Sequence, residues 1–247
     1  LLLICKLFIM SCSTKKDILY MQDTIDNNSY EFDYTQYKVK VDDILKIEIG
    51  AETPEPAAVF NQSLNMMNNN TLESMLYNGY QVDSNGYINF PVIGKIFVSQ
   101  KNISEIRDDI YNLIVEKKIL IAPSVDVKLM NSHFTILGEV KNPGKYDFLR
   151  NNMNILNAIG MAGDLTINGE RRDIKIIREN EGKSSVSFID LTKSDFLTGS
   201  NFQIFSGDII IVNPNSTRVK NAGIIGNSGT LLSLLSFILS SIIVISN

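Results

Sequence analysis

The sequence predicts an α+β protein built from two successive β-rich units and a C-terminal transmembrane helix. Short runs in which apolar and polar residues alternate recur through most of the 247 residues, with turn residues between them. A 3.6-residue apolar period within 102–118 indicates one amphipathic helix. The last stretch, 229–247, contains no charged side chain.

The composition excludes several classes of function. The chain has 23 Lys+Arg against 27 Asp+Glu, and it lacks the basic cluster that a nucleic-acid binder uses to neutralise phosphates. One His (His133) and two Cys (Cys5 and Cys12) are too few for a His-based zinc site or a Cys–His couple. The sequence also lacks the phosphate-binding loop and the HExxH and GxSxG motifs. We therefore expect no enzyme activity, no metal and no cofactor.

The remaining polar candidates favour structural roles. Asp42 and Asp43 lie at a turn into a strand, where Asp side chains commonly accept hydrogen bonds from backbone N–H groups. Asp108 and Asp109 lie on the solvated face of the predicted helix. His133 stands at the junction of the two units, and we expect it to pack or hydrogen-bond.

The start of the chain resembles a secretory leader. Residues 1–10 are mostly apolar, too few to span a bilayer, and Ile9-Met10-Ser11-Cys12 is similar to a bacterial lipobox. We expect 1–11 to be a signal peptide whose start lies upstream, Cys12 to be lipidated, and 12–36 to be a linker. The alternative is an ordinary leader, or a buried apolar N-terminus with an incidental cysteine.

The first unit, 37–130, is predicted to be β-rich. Alternation predicts strands at 44–49 and 125–129, and Asn85-Gly86 between 81–83 and 87–90 predicts a tight hairpin. Asn102 with Glu105 three residues later is a capping-box pattern at the start of the amphipathic helix.

The second unit, 131–215, begins with a predicted strand, turn and strand around Asn142-Pro143-Gly144. A short helix over 154–162 follows, and Gly163 ends it. Three further strands are predicted, at 174–178, 186–191 and 209–212.

The end of the chain is predicted to be a linker over 216–228 and a transmembrane helix over 229–246. At 100° per residue its polar residues share an arc of about 140°; they are Thr230, Ser233, Ser236, Ser240 and Ser241. Such a polar face suits helices that pack beside copies of themselves or line a wet lumen. A plain C-terminal anchor with incidental serines is the alternative.

These residues together resemble the Wza-type outer-membrane polysaccharide export proteins. The first unit is similar to their export domain in Val41-Asp42-Asp43-Ile44-Leu45, in Asp83 to Gly94 and in Ala122-Pro123-Ser124-Val125. The second is similar to an SLBB domain, which has a β-grasp-like fold, in Leu137 to Tyr146, in Ala158 to Leu165 and in Gly207-Asp208-Ile209.

The resemblance implies a lipid-anchored outer-membrane protein with most of its chain in the periplasm. Copies would form a homo-oligomeric ring, and their C-terminal helices an α-helical barrel through the membrane. The ring would export capsular polysaccharide or exopolysaccharide and work with an inner-membrane polysaccharide co-polymerase. The alternative is a non-channel cell-envelope lipoprotein that binds glycan or a protein partner and uses its C-terminal helix as an anchor.

Overall fold

The computed structural model describes residues 15–24, 29–32, 34–52, 54–61, 78–149, 152–180, 182–222 and 228–245. These residues form two units, each with its own hydrophobic core, followed by two C-terminal helices. The predicted signal peptide and Cys12 lie outside the described residues. The predicted α+β class is confirmed.

The first unit is a small antiparallel sheet, a hairpin and a helix. The elements are β1 (Ile44–Gly50), α1 (Pro54–Ala58), β2 (Tyr80–Gln81), β3 (Tyr87–Phe90), β4 (Gly94–Phe97), α2 (Ile103–Glu116) and β5 (Ser124–Leu129). β1 lies between β2 and β5 in a three-stranded sheet, and β3 pairs with β4.

Helix α2 forms as its local sequence predicts. The Asn102 side chain accepts a hydrogen bond from Glu105 N at 2.9 Å, and the Glu105 carboxylate accepts one from Asn102 N at 2.7 Å, so the capping box is confirmed. One face of the helix carries Ile106, Ile110 and Ile114, which are fully buried in the core of the first unit. The other face is exposed to solvent.

The predicted hairpin around Asn85-Gly86 is wrong in its pairing. The turn exists, since Gly86 N donates to Asp83 O at 2.9 Å, and Asp83 pairs with Tyr87 as predicted through a 2.8 Å bond from Asp83 N to Tyr87 O. Beyond that pair, the strand before the turn pairs with β1 and the strand after it pairs with β4. Val82 and the Asp42–Asp43 turn exchange two backbone hydrogen bonds, of 2.8 and 3.1 Å. These bonds draw the strand before the turn toward β1.

The second unit is a five-stranded mixed sheet with a helix on its inner face. The elements are β6 (His133–Gly138), β7 (Gly144–Asp147), α3 (Ile155–Met161), β8 (Gly169–Asn180), β9 (Lys183–Ile189) and β10 (Ile209–Pro214). The strand order is β7-β6-β10-β8-β9; β6 and β10 are parallel and the other neighbours antiparallel. Helix α3 buries Ile155, Ala158 and Ile159 in this core.

Gly138 ends β6 directly opposite Val212 of the parallel strand β10. Its φ is +92°, and a Cβ at this position would lie 2.0 Å from the carbonyl oxygen of Val212 in β10. Only glycine fits both the left-handed backbone and this approach. The residue therefore lets the chain leave the sheet directly beside its parallel neighbour.

The C-terminal helices are α4 (Ser216–Ala222) and α5 (Ser228–Ile245). Of the helices in the described part of the chain, none is both long enough and apolar enough to cross a bilayer, so the predicted transmembrane helix over 229–246 is wrong. At 1.5 Å per residue α5 is about 27 Å long, against about 30 Å of hydrocarbon. Six of its 18 residues also carry hydroxyl groups.

Candidate functional site

The two units meet at a polar cleft of about 480 Å³. The first unit contributes Lys40, Asp42 and Asp43, the second contributes Glu179 and Ser206, and His133 lies where the chain passes between them. Loops and strand ends supply these side chains. We treat this junction as the candidate functional site because it sets how the two units are oriented.

Asp43 is the most buried carboxylate of the first unit's side of the cleft, with 6% of its surface exposed. Its Oδ2 accepts hydrogen bonds from the Tyr37 hydroxyl at 2.9 Å and from Lys40 N at 2.8 Å. Burial raises the pKa of Asp43, and these two hydrogen bonds oppose the shift. Burial also raises the pKa of the Tyr37 phenol, and the Asp43 charge raises it further. The hydrogen bond from Lys40 N to the Asp43 carboxylate confirms the prediction that Asp43 accepts from a backbone N–H group at this turn.

On the other side of the cleft, Arg178 of β8 binds Asp208 in a bidentate pair. Arg178 Nε and Nη2 donate to the two carboxylate oxygens at 2.9 and 2.8 Å, and Asp208 is 1% exposed. The same guanidinium lies 4.4 Å from the centre of the Phe205 ring. Phe205 stacks in turn on Tyr37, with ring centres 6.4 Å apart. A continuous row of contacts therefore joins Asp208 in the second unit to Asp43 in the first.

Four further hydrogen bonds close the junction. Lys40 Nζ donates to the Glu179 carbonyl oxygen at 2.6 Å. Asn131, between the units, accepts from Ile44 N and donates to the Asp42 carbonyl oxygen, both at 3.0 Å. His133 Nδ1 lies 3.0 Å from the Asn131 carbonyl oxygen, which confirms the hydrogen-bonding role expected for it.

The arrangement is suited to holding two units in a fixed orientation. Lys40 and Asp43 hydrogen-bond to backbone groups and Arg178 pairs with Asp208, and pairs of this kind fix geometry. Within the described residues, no three His, Cys, Asp or Glu side chains are placed to hold a metal ion.

An N-terminal strap, residues 16–24, 29–32 and 34–36, crosses the second unit before the chain enters the first. Met21 N and Gln22 N donate to the carbonyl oxygens of Leu191 and Thr192, at 3.0 and 2.7 Å. The Tyr20 ring lies 5.5 Å from the buried Arg171 guanidinium. Its hydroxyl donates to the Asp164 carboxylate.

Further along the strap, Gln203 pairs with the backbone of Thr35. The Gln203 side chain accepts from Thr35 N at 3.0 Å and donates to Thr35 O at 2.9 Å, and it is 3% exposed. The Phe32 ring packs edge-on against Phe202, with centres 4.8 Å apart. Sequence reasoning missed these contacts, although the alternation of Tyr30, Phe32 and Tyr34 is a signal that could have indicated them.

The predicted site residues at the two ends of the chain are not brought together with this junction. Cys12 and the Thr230 side chain lie outside the described residues. Ser236, Ser240 and Ser241 donate to carbonyl oxygens four residues earlier in α5, so their hydroxyls bond within their own helix. Ser233 lies on the same helix and is exposed.

Comparison with known proteins identifies both units. A family model described as polysaccharide biosynthesis/export protein matches residues 33–130, and one described as SLBB domain matches residues 133–188. The two matches together cover more than half of the chain. The chain belongs to the Wza-type polysaccharide export proteins. We call the first unit the export domain and the second the SLBB domain.

Two curated relatives carry the same description. The EPS I polysaccharide export outer membrane protein EpsA of Ralstonia solanacearum is 27% identical over 159 residues, which are 62% of this chain and 41% of that protein. Its namesake from Ralstonia nicotianae (strain ATCC BAA-1114 / GMI1000) is 28% identical over 187 residues, 72% of this chain and 47% of the relative. The chain therefore spans less than half the length of these relatives.

Membership in this export family also bears on the prediction that the chain has no enzyme activity. Proteins of the family are non-enzymatic transport components, so the prediction that this export protein is not an enzyme is confirmed.

Proposed function

We propose that this protein exports capsular polysaccharide or exopolysaccharide across the outer membrane, as a homo-oligomeric ring that encloses a periplasmic conduit. The observation that carries the proposal is the export domain followed directly by an SLBB domain. The curated relatives named as polysaccharide export outer membrane proteins support the substrate class and the location. The polar junction supports a rigid protomer, which a ring of defined shape requires.

The protein is proposed to be a lipoprotein anchored through Cys12, with most of its chain in the periplasm. Three residues separate Cys12 from Lys16 at the start of the strap, so the two are at most about 14 Å apart in a fully extended chain. Because the strap lies on the SLBB domain, a lipid at Cys12 would hold that domain close to the membrane surface. An inner-membrane polysaccharide co-polymerase would deliver the polymer from the opposite side.

The hydroxyl-bearing side of α5 is proposed as a contact between copies, without any crossing of the membrane. Its members are Thr230, Ser233, Ser236, Ser240 and Ser241. Small hydroxyl residues allow two helices to approach closely. The internal hydrogen bonds of three of these serines satisfy their donors, so such a contact would not leave them unpaired.

The test is deletion of the gene in its own host, followed by complementation with the full chain or with the Cys12→Ser variant. Export is read as polysaccharide on the cell surface, and assembly as the mass of the detergent-extracted protein. We expect the deletion to abolish surface polysaccharide and the extracted protein to be a large oligomer. The Cys12→Ser variant should lose its lipid and much of the export.

Two results would contradict the proposal. Unchanged surface polysaccharide in the deletion strain would exclude the export role. A strictly monomeric protein that binds glycan and leaves export unaffected would favour the non-channel envelope lipoprotein instead.

A further inference from the structure

The β3–β4 hairpin of the export domain has one face in the core and one face in solvent. Ile88, Phe90 and Ile96 point inward and belong to the export-domain core. The opposite face, which we call the hairpin face, consists of four exposed side chains: Tyr87, Asn89, Lys95 and Phe97. Because the inward residues anchor the hairpin, the hairpin face is held in place before anything binds to it.

The two aromatic rings of the hairpin face form one pair. Tyr87 and Phe97 are directly opposite each other in the register, and their rings meet edge to face with centres 5.2 Å apart. Gly86 lies beside the second ring, since a Cβ at this position would be 2.9 Å from Cε2 of Phe97. These contacts fix the rings, so a ligand that stacks on them costs little side-chain entropy.

The next pair along the hairpin is polar, with Asn89 directly opposite Lys95. Within the part of the chain that the structure describes, neither of these side chains makes a hydrogen bond or an ion pair. Lys101, whose ammonium lies 5.9 Å from the centre of the Phe97 ring, is already paired with Asp109 at 2.6 Å. The Asn89 amide and the Lys95 ammonium are therefore the polar groups that the hairpin face offers to a ligand.

The four groups together match the chemistry of an acidic sugar. The C–H groups on one face of a pyranose ring carry partial positive charge and pack on the negative face of an aromatic ring. An amide both donates to and accepts from sugar hydroxyl groups, and an ammonium binds a carboxylate. The hairpin face therefore combines a stacking surface, a hydroxyl partner and a carboxylate partner on neighbouring positions of two strands.

A protein surface matches the hairpin face less well. A stable protein interface takes about 20–30 residues from each side, whereas the two strands of this hairpin are only about 5 Å apart. An apolar partner would also bury the Asn89 amide and the Lys95 ammonium without hydrogen bonds, which costs free energy. A ligand that carries hydroxyl and carboxylate groups satisfies both side chains instead.

We infer that the hairpin face binds acidic sugar units of the exported polysaccharide. The sugar ring stacks on Tyr87 and Phe97, a hydroxyl group bonds to the Asn89 amide, and a carboxylate pairs with the Lys95 ammonium. The inference rests on the proposed function, which supplies the polysaccharide, and it adds the class of sugar and the residues that contact it.

The experiment measures the affinity of the detergent-extracted full-length protein for surface polysaccharide purified from its own host. The second ligand is the same polymer after its carboxyl groups have been chemically reduced to alcohols. We expect the wild type to bind the native polymer more tightly than the reduced one. Tyr87→Ala should weaken the binding of both polymers about tenfold, whereas Tyr87→Phe keeps the ring and should bind as the wild type does.

Lys95→Gln tests the carboxylate contact separately from the ring. It should weaken the binding of the native polymer about fivefold and leave the binding of the reduced polymer unchanged. A folding defect would weaken both, and thermal unfolding of each variant checks for one. Phe188→Ala is the matched control, because Phe188 is a 59% exposed ring on the SLBB domain, with the Lys175 ammonium 5.9 Å from its centre. It should bind both polymers as the wild type does.

Three results would overturn the inference. They are a wild type that binds neither polymer, a wild type that binds both equally, and a Tyr87→Ala variant that binds normally but forms a smaller oligomer. The last result would make the hairpin face an interface between copies. If export is lost in the deletion strain, the export role stands in all three cases. Unchanged surface polysaccharide in that strain excludes the export role by itself, and the binding assay still decides the inference.

Discussion

At the scale of single residues, Asp43 connects the stability of the junction to pH. Burial raises the pKa of its carboxyl group above the ordinary value of 3.8. As the pH rises above that value, the unfolded chain releases this proton before the folded chain does. The folded state is then stabilised less, and the loss continues until the folded carboxyl group has ionised as well.

We therefore predict that Asp43→Asn removes this pH dependence. Compared with the variant, the wild type should be relatively more stable below the ordinary pKa of 3.8 and lose that advantage as the pH rises through the raised pKa of Asp43. The Asn oxygen can still accept from the Tyr37 hydroxyl and Lys40 N, so the fold should persist. Urea unfolding of both proteins across this range measures the difference. A wild-type advantage that is the same at every pH would contradict the prediction.

At the scale of elements, the strap behaves as part of the SLBB domain. The Gln203 side chain takes the place that a neighbouring strand would have beside the strap. Its buried amide hydrogen-bonds to both the backbone N–H and the backbone carbonyl oxygen of Thr35. We predict that Gln203→Ala lowers the free energy of unfolding by about 2 kcal/mol, since both hydrogen bonds are lost at a buried site. Hydrogen exchange at the Thr35 amide should accelerate, while exchange at Val39, which donates to Lys101 O, should not.

Gln22→Ala is the matched control for this variant. The Gln22 side chain is exposed and, within the described part of the chain, donates to the carbonyl oxygens of nearby Lys16 and Leu19. Its removal should change the free energy of unfolding by less than about 0.5 kcal/mol. Equal effects of the two substitutions would show that the strap does not depend on Gln203.

The elements predicted correctly from the sequence are those whose information is local. The capping box and apolar period of α2 lie within 102–118, and the Pro-Gly turn before β7 lies next to the strands that it joins. The wrong partner predicted for residues 81 and 82 and the missed strap have another origin. Their partners are far away in the chain, such as Gln203 for Thr35, and a local pattern does not specify which distant surface a segment contacts. The sequence points to Asp43 and His133 as individual residues, but it does not predict the row of contacts that joins Asp208 to Asp43.

At the scale of the whole molecule, the export and SLBB domains are joined at two places. The strap binds the SLBB domain before the chain enters the export domain, and the row from Asp208 to Asp43 closes the other side. A chain held at both places transmits force and orientation between its domains. Such a protomer suits a ring, in which small rotations of one domain would displace its neighbours.

The Arg178–Asp208 pair is the part of this coupling that a single substitution can remove. We predict that Arg178→Ala leaves Asp208 buried without its charge partner and lowers the stability of the SLBB domain by about 3 kcal/mol. Phe205 also loses the guanidinium that packs on it, so its stacking on Tyr37 should loosen. Calorimetry should then show one cooperative transition in the wild type and two in the variant, with the SLBB domain unfolding first.

Arg172→Ala is the control, because Arg172 pairs with Asp17 where both side chains are substantially exposed. A pair of that kind contributes at most about 1 kcal/mol, so the single transition should remain. If the wild type already unfolds in two separate steps, the junction does not couple the domains. If Arg178→Ala unfolds in one step at the wild-type temperature, the coupling does not pass through this ion pair, and the strap with Gln203 would have to carry it.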